Sequence, residues 1–170
     1  MKTLYIIILS LLLSACAGLP EDIEPISDFE LDRYTGKWYE IARLDHRFER
    51  GLEQVTATYS IKNDGTVRVA NRGFSPKNKE WKDAVGKARF AGNSNIGHLE
   101  VSFFGPFYGS YVIFELDKEN YQYAFVTGSK NTLWLLSRTP QVSDELKDQF
   151  VNTIREYGYS TEELIFVTQK

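Results

Sequence analysis

The sequence contains few of the residues on which catalytic, metal-binding and disulfide-stabilised proteins depend. It has one cysteine, Cys16, and two histidines, His46 and His98, in 170 residues. A lone cysteine excludes an intrachain disulfide, and two histidines alone argue against a zinc site. Lys and Arg number 20 against 23 Asp and Glu, so there is no basic excess that would favour nucleic acid as a partner.

Long apolar runs are also missing. The longest one covers residues 4–13, whereas a membrane-spanning helix needs about 20 apolar residues. The run follows Met1 and Lys2, which supply a short positive start. This order is typical of a secretory signal peptide, which we place at residues 1–15.

Residues 13–16 (LSAC) follow the run directly and resemble the lipobox of bacterial lipoproteins. In that class the signal peptidase cuts before the cysteine, which then carries several acyl chains and holds the protein stably on a membrane. The resemblance implies lipidation of Cys16, and the alanine at position 17 implies sorting to the bacterial outer membrane, with the domain facing the periplasm. Residues 16–27 would form the lipidated tether. The alternative is an ordinary secretory signal in which Cys16 is incidental.

Beyond residue 35 the sequence alternates between short apolar stretches and polar turns. Residues 54–62 show the clearest period of two, with apolar side chains at the odd-numbered positions, and the Asn63-Asp64-Gly65 that follows is a hairpin signal. The same criteria predict eight strands, at residues 36–44, 54–62, 66–74, 80–91, 98–104, 110–116, 121–127 and 132–138.

One later segment has a helical period instead. Its apolar side chains recur at three- and four-residue spacing, at Val142, Leu146, Phe150, Ile154 and Tyr157. Ser143 is suited to cap this helix and Gly158 to end it. A short ninth strand is predicted at residues 164–167.

Eight strands joined by short turns favour one all-β domain at residues 28–170. The order is that of an eight-stranded antiparallel up-and-down β-barrel. A β-sandwich is the competing architecture. A helix with one apolar face suits packing against the outside of a barrel, so we predict the barrel.

Three separated motifs resemble the conserved blocks of the lipocalin family. They are residues 36–43 (GKWYEIAR), residues 117–124 (DKENYQYA), in looser form, and residues 133–140 (LWLLSRTP). Residues 45–51 and 101–109 are similar to segments of the bacterial outer-membrane lipoprotein branch of that family. The resemblance extends in order from about residue 28 to residue 169.

The resemblance implies roles for particular residues. In lipocalins the tryptophan of the first block plugs the closed end and the arginine of the third packs across it, so the residues of barrel closure are Gly36, Trp38 and Arg138. Strand alternation, with the resemblance for Tyr108, places the ligand-binding residues at Ala57, Tyr59, Val69, Phe90, Phe103, Tyr108, Phe114 and Trp134. Each of these side chains suits a filled core as well as a pocket. Partners for a ligand headgroup at the rim would be Arg72, Arg89 and Tyr108.

Relatives in this branch bind fatty acids and lysophospholipids. The resemblance therefore implies a membrane-anchored lipocalin that binds, stores or transports such hydrophobic ligands in the cell envelope. No enzyme activity, cofactor, metal or nucleic acid is expected, and a homodimer is left open. The alternative is a structural lipoprotein with a filled barrel that acts through surface loops such as residues 105–109.

Overall fold

The computed structural model describes residues 23–170. The predicted signal peptide, Cys16 and most of the predicted tether lie outside these residues. The elements, in chain order, are α1 (Leu31–Tyr34), β1 (Gly36–Leu44), β2 (Glu53–Ile61), β3 (Val67–Ser75), β4 (Glu80–Phe90), β5 (His98–Ser102), β6 (Gly109–Leu116), β7 (Tyr123–Ser129), β8 (Thr132–Ser137), α2 (Asp144–Glu156), a 3₁₀ turn (Thr161–Glu163) and β9 (Leu164–Phe166).

Strands β1 to β8 form a closed antiparallel barrel. Each strand pairs with the next along the chain, and β1 closes the sheet by pairing with both β2 and β8. The predicted up-and-down barrel is confirmed, and the sandwich is excluded. The predicted start of β7 at residue 121 is wrong, because Tyr121 has a φ of 55°, outside the range of an extended strand.

The C-terminal tail fills a gap where β1 and β2 separate. A register shift lies between Glu40 and Ala42 on β1, and β9 pairs with β1 beyond it. The side-chain amide of Gln169 then donates to the carbonyl oxygens of Glu40, at 2.8 Å, and Val55, at 2.9 Å. These bonds satisfy carbonyl groups that the diverging strands would otherwise leave unpaired.

Two apolar clusters lie on the two sides of the barrel wall. One lines the interior and includes Trp38, Val69 and Val126. The other lies between the outer face and α2, where Phe150 and Ile154 are fully buried. The hydroxyl oxygen of Ser143 caps α2 by accepting a bond from the Leu146 amide at 3.3 Å, as predicted from the sequence.

The antiparallel order assigns every loop to one of two ends. Loops that follow odd-numbered strands share one end, which we call the open end: residues 45–52, 76–79, 103–108 and 130–131. The opposite end, which we call the closed end, is covered by α1 and contains Trp38. Neither helix within residues 23–170 is both long and apolar enough to cross a membrane.

Candidate functional site

The closed end is sealed by a tryptophan and an arginine. Trp38 is completely buried, its indole N–H donates to the carbonyl of Tyr34 at 2.8 Å, and the Arg138 guanidinium lies 3.9 Å from the centre of its ring system. Arg138 also donates to three carbonyls, those of Tyr121, Lys37 and Arg33. This end of the barrel therefore offers no entrance.

Gly36 makes room for this seal. Its φ of 93° is in the left-handed region, which glycine adopts without a steric penalty. A Cβ at this position would lie 3.3 Å from the Nη1 atom of Arg138. The glycine two residues before the tryptophan thus permits both the turn into β1 and the close approach of the Arg138 guanidinium.

Above the seal, three tyrosines form a buried chain of hydroxyls. Tyr111 is its centre, 2.7 Å from the hydroxyl of Tyr34 and 2.8 Å from that of Tyr59. Burial raises the pKa of all three phenols, so they stay neutral at physiological pH. These hydroxyls form a polar point in the interior that carries no charge.

A charged cluster lies inside the barrel nearer the open end. The Arg43 guanidinium donates to a carboxylate oxygen of Glu40 at 2.6 Å, and both side chains are almost completely buried. Glu49, from the loop at residues 45–52, lies 2.9 Å from the Nε2 atom of His46. The indole N–H of Trp134 also donates to Glu49, at 3.2 Å. Acidic and basic side chains therefore lie together in the barrel wall and its covering loop.

The two carboxyl groups of this cluster have opposite pKa shifts. Burial, together with the nearby Glu49 carboxylate, raises the pKa of Glu40 well above its usual value and outweighs the guanidinium of Arg43. Burial also opposes ionisation of Glu49, but the hydrogen bonds from His46 and other neighbours lower its pKa. A proton added to this pair therefore binds to Glu40 first.

These shifts predict opposite pH dependence for two glutamine variants. The raised pKa of Glu40 means that ionisation destabilises the fold as pH rises, so Glu40→Gln should gain stability relative to wild type between pH 5 and 8. The lowered pKa of Glu49 contributes stability above its unfolded value, so Glu49→Gln should lose about 1–3 kcal/mol at pH 7. That loss should shrink as pH falls toward 3. Urea unfolding at several pH values measures the free energy of unfolding of both variants. Differences from wild type that do not change with pH would contradict the two pKa shifts.

Six of the eight predicted ligand-binding residues belong to the interior cluster. Tyr59 and Val69 are buried, and the other four are partly buried: Ala57, Phe90, Phe103 and Trp134. The side chain of Phe103 lies close over Gly86, where an added Cβ would come within 2.9 Å of the ring. The structure therefore brings these six side chains to the inner face, while contact with a ligand stays a prediction.

The inward orientation predicted for Phe114 is wrong. Its ring packs on Phe125 and on Tyr157 in the cluster under α2, outside the barrel. A register shift between Ile113 and Glu115 interrupts the alternation at this point of β6. The helix covers the outer face here, and this makes an outward phenylalanine as buried as an inward one.

The predicted headgroup partners also lie on the outside. Arg89 alternates with the inward residues Ala88 and Phe90, and it pairs with Glu100 on the outer face. The ring of Tyr108 belongs to an open-end loop but lies 4.3 Å from the Arg89 guanidinium, so it does not line the interior. The guanidinium of Arg72 likewise stacks on the outward Trp81, at 4.7 Å. The structure therefore places none of these three side chains toward the interior, although Tyr108 does belong to a loop of the open end.

The sequence analysis missed the polar residues that do face inward. Glu40 shares its side of β1 with Trp38, so a period of two could have identified it. Arg43 lies beyond the register shift, and no sequence signal marks its inward direction. Within the described residues no group of three acidic, histidine or cysteine side chains is arranged to hold a metal ion.

Comparison with known proteins gives a consistent picture. A family model described as a lipocalin-like domain matches residues 29–169. A protein named "Outer membrane lipoprotein Blc" from Vibrio cholerae is 57% identical, with 100% of both chains covered. The protein of the same name from Escherichia coli is 47% identical over 88% of this chain and 85% of its own.

The solved structure of insecticyanin from the tobacco hornworm Manduca sexta has a similar fold. It matches with a TM-score of 0.70 at 20% identity, covering 90% of this chain and 87% of that one. At this identity the likeness shows the fold alone. It agrees with the closed barrel, the outer helix and the extra ninth strand described above.

Proposed function

Because the chain belongs to the lipocalin family, we propose that its barrel carries single-chain acyl lipids, namely fatty acids or lysophospholipids, at the bacterial outer membrane. The chain is a hydrophobic-ligand-binding lipocalin by family, and close relatives bear the name outer membrane lipoprotein. The class of lipid and the lipid anchor on Cys16 are the parts that we propose.

The observation that carries the proposal is a gradient of burial inside the barrel. Interior side chains next to the seal, such as Val67 and Ala88, are fully buried. Inward apolar side chains farther from it, such as Val101, Phe103 and Trp134, keep accessible surface although they face the inside of a closed sheet. Accessible inward surface supports a space that opens toward solvent at the open end, which a filled barrel would lack.

The chemistry of this space suits one acyl chain. Each methylene moved out of water contributes about 0.8 kcal/mol, so an apolar wall binds a chain without directional contacts. A second acyl chain would double the apolar volume to be enclosed, so we expect two-chain phospholipids to bind poorly.

A chain-length series tests this proposal. Affinities are measured by displacement of a fluorescent fatty acid from a soluble form that starts at Ala17, since all strands and both clusters lie within residues 23–170. Affinity should rise about fourfold per methylene until the space is filled, and then level off. Trp134→Ala should weaken every member of the series, whereas the outward Trp81→Ala should not. A series with no length dependence would contradict the carrier and favour a filled barrel that acts through its loops.

A further inference from the structure

The open end concentrates exposed aromatic side chains. Phe48, Phe104 and Phe107 are 64%, 70% and 78% exposed, more than any other large apolar side chain within residues 23–170. They come from the loops that follow β1 and β5, which lie on opposite sides of the barrel mouth because three strands separate β1 from β5 in either direction around the barrel. An exposed apolar group on each side of an entrance is typical of an interaction surface.

The open end as a whole is basic. Together the four open-end loops contain five Lys or Arg residues and two Asp or Glu, although the whole chain has a net charge of −3. Lys77 and Lys79 occupy the loop after β3, and Lys130 the loop after β7, so lysine-bearing loops alternate with the aromatic loops around the mouth. The Arg47 guanidinium lies 4.7 Å from the ring centre of Phe48.

The first residues that the structure describes enter the barrel domain from the direction of the open end. Ser27 pairs antiparallel with Ile96, so residues 26–29 run toward the closed end while the chain from residue 95 into β5 runs away from it. Chain that precedes residue 26 therefore comes from the direction of the open end. Cys16 lies seven positions before Ile23 in the chain, and seven residues reach at most about 25 Å. This is about the height of a tilted nine-residue strand, so an anchor at Cys16 is within reach of the open rim.

We propose that the open end is a docking surface for an anionic phospholipid bilayer. Phenylalanine side chains enter the interfacial region while lysines and arginines bind lipid phosphates, which is how amphipathic surfaces hold to membranes. A second copy of the chain fits this surface less well, because two such faces would bring like charges together. Docking rests on the proposed function, since it lets an acyl chain pass from bilayer to barrel without crossing water.

Vesicle co-sedimentation of the form that starts at Ala17 tests the docking. Binding to phosphatidylglycerol–phosphatidylethanolamine vesicles should exceed binding to phosphatidylcholine vesicles by about tenfold or more. The triple variant Phe48→Ser, Phe104→Ser, Phe107→Ser should lose at least that factor, and so should Lys77→Glu, Lys79→Glu, Lys130→Glu. The matched control, Lys62→Glu, Lys118→Glu, Lys147→Glu, changes three lysines away from the open end and should bind like wild type.

Two results would overturn the docking surface. One is vesicle binding by the rim variants that equals wild type. The other is a wild-type protein that ignores vesicles but dimerises in sedimentation velocity through the same phenylalanines, which would assign the surface to a second copy. Displacement of the fluorescent fatty acid distinguishes a failure of docking from a failure of the proposed function. The rim variants should keep their affinity for the fatty acid within about threefold of wild type. Normal vesicle binding with no fatty-acid binding would contradict the carrier alone.

Discussion

Replacing Trp38 by alanine is expected to lower the free energy of unfolding by about 3–5 kcal/mol, the range for a fully buried large aromatic side chain. The ring contacts Tyr34 at a centroid distance of 4.8 Å and lies under the Arg138 guanidinium. Its removal would leave a partly desolvated arginine above a cavity at the base of the barrel. Urea denaturation at neutral pH, analysed by linear extrapolation, measures the loss.

Trp81 provides a matched control for this substitution. It is also a tryptophan on a strand, but it is 44% exposed, and its ring packs on Phe74 and under the Arg72 guanidinium. Trp81→Ala should cost no more than about 1 kcal/mol. Equal losses for the two variants would contradict the role of Trp38 as the seal of the closed end.

The second large effect concerns the interior. Ala57→Trp should weaken binding of oleate by about a hundredfold or more, because an indole at this inward position removes the space that several methylenes would fill. Ala57 is a partly buried member of the interior cluster and pairs with Trp38 across β1 and β2. Fluorescence displacement measures the affinity, and thermal unfolding checks that the variant stays folded.

Thr58→Trp is the control for Ala57→Trp. Thr58 is adjacent in sequence and, by the alternation of β2, faces outward, so the same indole there leaves the interior unchanged. Oleate affinity of Thr58→Trp should stay within about twofold of wild type. A folded Ala57→Trp protein that binds oleate as wild type does would show that the ligand does not occupy the barrel.

The sequence predicted the architecture well because its local signals agree with one another. On β2 a strict alternation ends at Asn63-Asp64-Gly65, and the structure keeps the inward direction of both Ala57 and Tyr59. Likewise, β1 has the predicted bounds, and α2 carries the predicted cap at Ser143. In these segments the period, the turn residues and the cap each point to the same structure.

Strand alternation did not predict the direction of a side chain correctly where both faces of the strand are buried. Residues 111–114 of β6 are Tyr, Val, Ile and Phe, and α2 covers the outer face, so hydrophobicity does not distinguish inside from outside. The register shift near Phe114 depends on tertiary pairing with β7 and has no local signal. Arg43 was not predicted to face inward for the same reason, because its direction depends on the register shift between Glu40 and Ala42.

The charged cluster shows a second limit. Residues 45–51 lie between two predicted strands and are mostly charged, which predicts a loop but does not indicate that Glu49 and His46 are largely buried. Glu49 contacts Trp134, which is 85 residues away in the sequence, and Glu40 on β1. Mutual neutralisation of this kind becomes visible only when the partners are brought together.

The most direct test of the carrier is native mass spectrometry of the soluble form, purified from a bacterial host and combined with lipid extraction. We expect one bound lipid with a single acyl chain per barrel, and its loss in Ala57→Trp but not in Thr58→Trp. A wild-type protein that carries no lipid, and that forms no adduct with added oleate or lysophospholipid, would contradict it.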